Sequence, residues 1–178
     1  MTADPILTDV EAAPTRGGTP HLRPVGPIPP PESLLICALM YAPPALVLTV
    51  AENIDAAVDC DQPAATLLTA IVDLARNGIA PAPVLVLDEM RRQGKADRRT
   101  ATYLASASTA GAPPESARKY AAVVVADSLR RQTESLGTAL QSAASSAAEI
   151  ELRHLVTAGS QRIQATADRL KNIRGEHD

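Results

Sequence analysis

The sequence predicts an all-α protein: a small orthogonal helical globule followed by an antiparallel helical hairpin. Three observations carry this. Leu67, Leu68, Ile71, Val72 and Leu74 recur with i, i+4, i+7 spacing and place one apolar stripe on a helix that ends at Asn77-Gly78. The apolar complement is 46% of the chain, yet it holds no Trp, no Phe and three tyrosines (Tyr41, Tyr103, Tyr120). A core of Ala, Leu, Val and Ile suits closely approaching helices, and strand-type alternation is hard to find. The last third repeats apolar residues at 4-3 spacing, as paired helices require.

Residues 1–30 concentrate proline and show no sustained periodicity, so they read as a disordered Pro-rich tail. A short docking motif within it is the functional alternative. The globule is expected over residues 31–112, with the stretch from Ala64 to Arg131 organising the chain. Pro31 and Glu32 suit a first helical turn, and Leu34, Leu35, Ala38 and Leu39 supply its buried face. Pro43-Pro44 ends that helix, and a second covers Ala45 to about Ile54. Asp55 to Pro63 reads as an acidic loop carrying an N-cap for the helix Ala64–Arg76. A helix over Val84–Gln93 closes at Gly94, and another covers Asp97–Ala110 with Tyr103 and Leu104 inward.

Residues 113–174 form the expected hairpin, followed by a short tail, 175–178. Val125, Leu129, Gln132, Leu136, Ala139 and Ala143 make one seam. Leu152, Val156, Gly159, Ile163, Thr166, Leu170 and Ile173 make the other, with the turn near Ser145 to Glu149. The second seam holds a Gly and a Thr and is expected to need a partner surface. Val125, Leu129, Leu136, Leu152, Val156, Ile163 and Leu170 are therefore the candidate partner-interface residues.

A net charge of -3 argues against unspecific nucleic-acid binding over the whole surface. Its distribution is uneven. Arg91, Arg92, Lys95, Arg98 and Arg99 cluster around one acid, Asp97, and are the candidate phosphate contacts. No aromatics interleave them, so base stacking is not expected there. Two cysteines, Cys37 and Cys60, make no disulfide framework, and Cys37 reads as a buried thiol. The N-terminus lacks the apolar core of a signal peptide, and the run Leu34 to Ala42 is too short to span a bilayer. A cytoplasmic protein without membrane contact is expected.

Catalytic constellations are missing. Gln93-Gly94-Lys95-Ala96 lacks the glycine spacing and the Ser/Thr of a phosphate-binding loop, so no nucleotide cofactor is expected. His21, His154 and His177 are scattered and assemble no metal site. Asp88-Glu89 are helix neighbours that point apart, which disfavours an acid/base couple.

An ordered set of segments carries a family resemblance. It comprises Pro31-Glu32-Ser33-Leu34-Leu35, the run Leu68 to Gly78, the run Val84 to Gly94, Thr102-Tyr103-Leu104-Ala105, and Ala117 to Val125 leading into Leu129-Arg130-Arg131. This set resembles the N-terminal domain of DnaB-type replicative helicases over roughly Pro30 to Ile173. Between Val58 and Ala65 the chain departs from the family pattern, supplying Asp59, Cys60 and Asp61 where an aromatic segment and a His are usual. The RecA-like motor with its Walker motif does not occur in this sequence. The resemblance implies a non-catalytic module that forms a homo-oligomer, a dimer or larger, through its hairpin. It also implies contact with a replicative helicase, primase or helicase loader. A DNA-associated phosphate-binding module and the collar subunit of a split helicase are the alternatives.

Overall fold

The computed structural model describes residues 28–176. Regular structure among them consists of eight α-helices and one 3₁₀ turn, without a strand. The helices are α1 (Pro31–Met40), α2 (Pro44–Ala51), α3 (Ala56–Asp59), α4 (Ala64–Arg76), α5 (Pro83–Arg92), α6 (Arg98–Ser108), α7 (Ala117–Ala143) and α8 (Glu149–Arg174). The turn, Pro114–Ser116, leads directly into α7. The expected tail up to Pro27, any docking motif in it, His21 and His177 lie outside the described residues.

Helix α1 is surrounded at the centre of the globule, and α4, in the stretch from Ala64 onward, packs against α1, α2, α3, α5 and α6. Ser33 and every residue from Leu35 to Met40 are buried, whereas Leu34, expected inside, is half-buried. A helix apolar around its whole circumference is one that neighbours surround. Here α4, α6, α7 and the 3₁₀ turn do so. Small residues on the buried side of α7, Ala117 and Ala121, permit the close approach. Pro31 opens α1 where no amide donor is needed, and the Leu34 amide donates to the Pro30 carbonyl at 3.1 Å.

Asp55 to Pro63 is not a plain loop, since it contains α3. The Asp55 carboxylate accepts from the Ala57 amide at 3.0 Å and caps this short helix. The cap expected for α4 is absent: Pro63 occupies that position with no side-chain bond, and the Ala65 amide donates instead to the Asp61 carbonyl at 3.0 Å.

The next three helices follow their sequence signals closely. Gly78 and Gly94 take φ of +73° and +69°, the left-handed region that ends α4 and α5. In each case the following amide reaches back five residues, Ile79 to Leu74 and Lys95 to Met90, and satisfies a terminal carbonyl. Asp97 caps α6 through the Thr100 amide at 2.7 Å. Leu67, Leu68 and Ile71 of α4 are fully buried, each contributing about 1.5–3 kcal/mol by area.

Helix α7 serves both halves of the molecule. Its first turns bury Ala117, Ala121, Val124 and Val125 in the globule, and its remainder pairs with α8. One continuous core therefore runs from Leu35 through Val125 to Leu170 and Ile173. The expected boundary at residue 113 separates segments of chain but not cores.

Candidate functional site

The far end of the α7–α8 hairpin, beyond the common core, carries the candidate interaction surface. Residues 144–148 make the turn between the two helices. Close approach is set by Gly159, which is buried beneath the Leu136 side chain. A polar rung, Gln132 Nε2 donating to Thr166 Oγ1 at 3.0 Å, holds the register.

The structure sorts the expected interface residues into three groups. Val125 and Leu170 are buried inside the chain and offer no surface to a partner, because the intramolecular core takes both. Leu129, Leu136, Leu152 and Ile163 are half-buried along the seam. Val156 is 46% exposed.

Sequence reasoning missed two further members, Ile150 and Leu155. Ile150 is 51% exposed at the start of α8. Leu155 joins Leu136, Ala139, Gly159 and Ile163 in lining an open groove bordered by Arg131 and Arg162. Both residues fall off the 4-3 spacing, and that is why periodicity did not find them. At about 290 Å³ the groove is smaller than sites for drug-sized ligands and of a size for side chains of a facing helix. Both ends of the hairpin carry mixed charge, with Arg153 near the tip and Glu134 near the base. Glu149 and Glu151 stand in the first turn of α8, where its dipole favours them, while Arg131 and Arg162 border the groove toward the globule.

The base of the hairpin is held by a polar network around Asp59, which is fully buried. Arg169 Nη2 donates to both carboxylate oxygens of Asp59, at 3.0 and 3.1 Å, and lies 3.2 Å from Thr166 Oγ1. The Asp55 amide donates to Asp59 Oδ2 at 2.9 Å. Arg131 Nη2 donates to the Asp59 carbonyl at 2.8 Å, and Ser128 Oγ to the Val58 carbonyl at 3.2 Å.

A second candidate surface is the α5–α6 turn, where Arg91, Arg92, Lys95, Arg98 and Arg99 are all exposed. Arg92 pairs with Glu89 at 3.3 Å, and Arg99 Nη2 donates to the Gln62 carbonyl at 3.1 Å. Arg98 and Arg99 border an open cleft that also holds Glu32, Asp61 and Tyr103. The fold thus brings an aromatic ring to the basic cluster, which linear spacing did not reveal, but it also brings two acids. Burial pushes the Glu32 carboxyl above its ordinary value. The Asp61 carboxylate adds to this, against the Asp61 N–H, which donates to Glu32 Oε1 at 3.0 Å, and the Arg131 charge. Burial likewise raises the Tyr103 phenol, opposed by the Ser33 hydroxyl, which donates to it at 3.0 Å.

Asp88 is exposed whereas Glu89 is buried and bonded to Gln93 at 2.8 Å, so the two carboxylates do not converge. His154 is exposed. Among the described residues no group of His, Cys, Asp and Glu is placed to hold a metal ion, and no helix is long and apolar enough to cross a membrane.

No family model and no curated protein matches the sequence. The fold matches the crystal structure of the N-terminal domain of DnaB helicase from Mycobacterium tuberculosis, with a TM-score of 0.64 and 23% identity. The match covers 75% of this chain and 95% of that one. The fold is that of a DnaB N-terminal domain. Covering nearly all of that domain, the likeness extends beyond any single helix pair, and it agrees with the all-α globule and hairpin expected from the ordered sequence segments.

Proposed function

We propose that this chain is a non-catalytic interaction module of the replicative-helicase kind, which self-associates through the distal hairpin and docks onto a replicative helicase, primase or loader. The observation that carries this reading is the apolar surface left open along the hairpin: Ile150, Val156 and the Leu136–Ile163 groove. Its likeness in fold to a helicase N-terminal domain supplies the class of partner. An antiparallel approach of a second copy would set Glu149 and Glu151 of one hairpin against Arg131 and Arg162 of the other, which is the charge pairing this reading uses. Light scattering coupled to size-exclusion chromatography tests the reading, first alone and then with a replicative helicase from the same source. A dimer or larger species, or a shift on mixing, is expected; a monomer that ignores the helicase overturns it.

The exposed cations of the α5–α6 turn favour a second reading, weak phosphate-backbone contact with DNA. Such binding falls steeply with salt and is lost on charge reversal at Arg91, Arg92, Lys95, Arg98 and Arg99. Binding that survives both treatments excludes this surface.

A further inference from the structure

Both arms of the hairpin hold Asp59, the last residue of α3. From α7, Ser128 and Arg131 hold the carbonyls of Val58 and Asp59. From α8, Arg169 reaches the Asp59 carboxylate, a link between residues 110 apart in sequence. Helix α3 itself is one turn long and leans on the same carboxylate, because the Asp55 amide donates to it and the Asp59 amide returns a bond to the Asp55 carbonyl at 2.7 Å. We infer that the Asp59–Arg169 pair is a latch that fixes where the C-terminal half of α8 lies on the globule, a conformational device rather than a source of net stability.

Physical chemistry gives the reason. Burying a carboxylate and a guanidinium costs much of what their attraction returns, and the balance is favourable only when every remaining donor finds a partner. This pair falls short of that. A single Arg169 nitrogen makes the contacts to Asp59, and Arg169 Nε is buried with no hydrogen-bond partner among the described residues. Direction is what the pair does supply. An apolar contact between α8 and α3 tolerates sliding, whereas a guanidinium seated on a buried carboxylate fixes one placement. Thr166 sits within reach of both Arg169 and Gln132, so the latch and the α7–α8 register rung share one hydroxyl. The shared hydroxyl couples the tilt of the hairpin to its internal register.

The test uses the whole chain and three variants, read by thermal melting and by amide hydrogen exchange over residues 163–174. Arg169→Met strands the buried carboxylate, and its melting temperature is expected to fall by about 10 °C. Asp59→Asn with Arg169→Met removes both charges and keeps an acceptor for the Asp55 amide. This double variant is expected to melt within a few degrees of the parent, while exchange over 163–174 quickens at least about tenfold. Arg169→Lys keeps the charge but not the planar head, and intermediate exchange is expected. Unchanged exchange in the double variant overturns the inference, as does a double variant that melts as low as Arg169→Met or does not fold, since the pair would then be stabilising only. These readouts do not depend on self-association, so a monomeric parent leaves the test intact.

Discussion

Leu136 occupies the space that a Cβ on Gly159 would need. The glycine is therefore the reason α7 and α8 meet closely at mid-hairpin, and its substitution is coupled to one residue. Gly159→Leu is expected to cost roughly 1–3 kcal/mol by overpacking. Adding Leu136→Ala is expected to recover part of that loss, giving a non-additive double-mutant cycle by urea denaturation. Additive costs would mean the two side chains do not share the space.

Surface substitutions at the hairpin separate association from folding. Ile150→Asp and Val156→Asp alter residues about half exposed, so the melting temperature is expected to stay close to the parent's. Light scattering should show the assembled species shifted to monomer at the same concentration. Retention of the larger species would place the contact on another face.

Glu32 gives the chain a pH dependence with a definite sign. Its folded carboxyl holds its proton more tightly than the ordinary value of 4.5, chiefly because it is buried. Below 4.5 both states are protonated and nothing is lost. As pH rises through the window above 4.5, the unfolded state ionises first, so stability declines until the folded group also ionises. Glu32→Gln retains an acceptor for the Asp61 amide and is expected to flatten this decline. Urea midpoints of parent and variant, compared from pH 4 to pH 7, check it. Parallel profiles would remove Glu32 as the cause.

The thiols should be inert in the folded protein. Cys60 is buried and pushed up to about 12, by desolvation first and then by the negative charges of Glu32, Asp59 and Asp61, against Arg131. Cys37 is buried in α1. Since the thiolate is the reactive form, neither should titrate with a disulfide reagent at neutral pH until denaturant is added. Rapid reaction of one thiol in the native state would contradict the burial.

Local signals made much of this fold legible. Asn77-Gly78 and Gly94 announce left-handed helix ends because few residues other than glycine adopt positive φ cheaply, and Asp97 is a cap three residues before the amide it binds. The helix pairing was legible from 4-3 spacing, since each seam faces the other. Less visible was anything that depends on distant partners. The run from Leu34 to Ala42 is apolar throughout, which marks a surrounded helix, yet an amphipathic reading assigns it a single face. Asp59 lies among acids and looks solvated; only the approach of Arg169 makes it a buried hub. Val125 and Leu170 show the converse, because periodicity marks a buried stripe without telling whether the same chain or another covers it.

The position of α1 has a consequence for how the chain is made. Its seven buried residues emerge early, but their neighbours in α6 and α7 come much later, as the Ser33–Tyr103 bond across 70 residues illustrates. At ordinary translation speeds, roughly 5–20 residues per second, α1 waits several seconds before α7 is synthesised. During that interval α4 and then α6 become available to α1, but the face of α7 that packs on it has not yet been made. Native burial of α1 therefore cannot be completed until α7 has been made, and α8 is added to the same core afterwards.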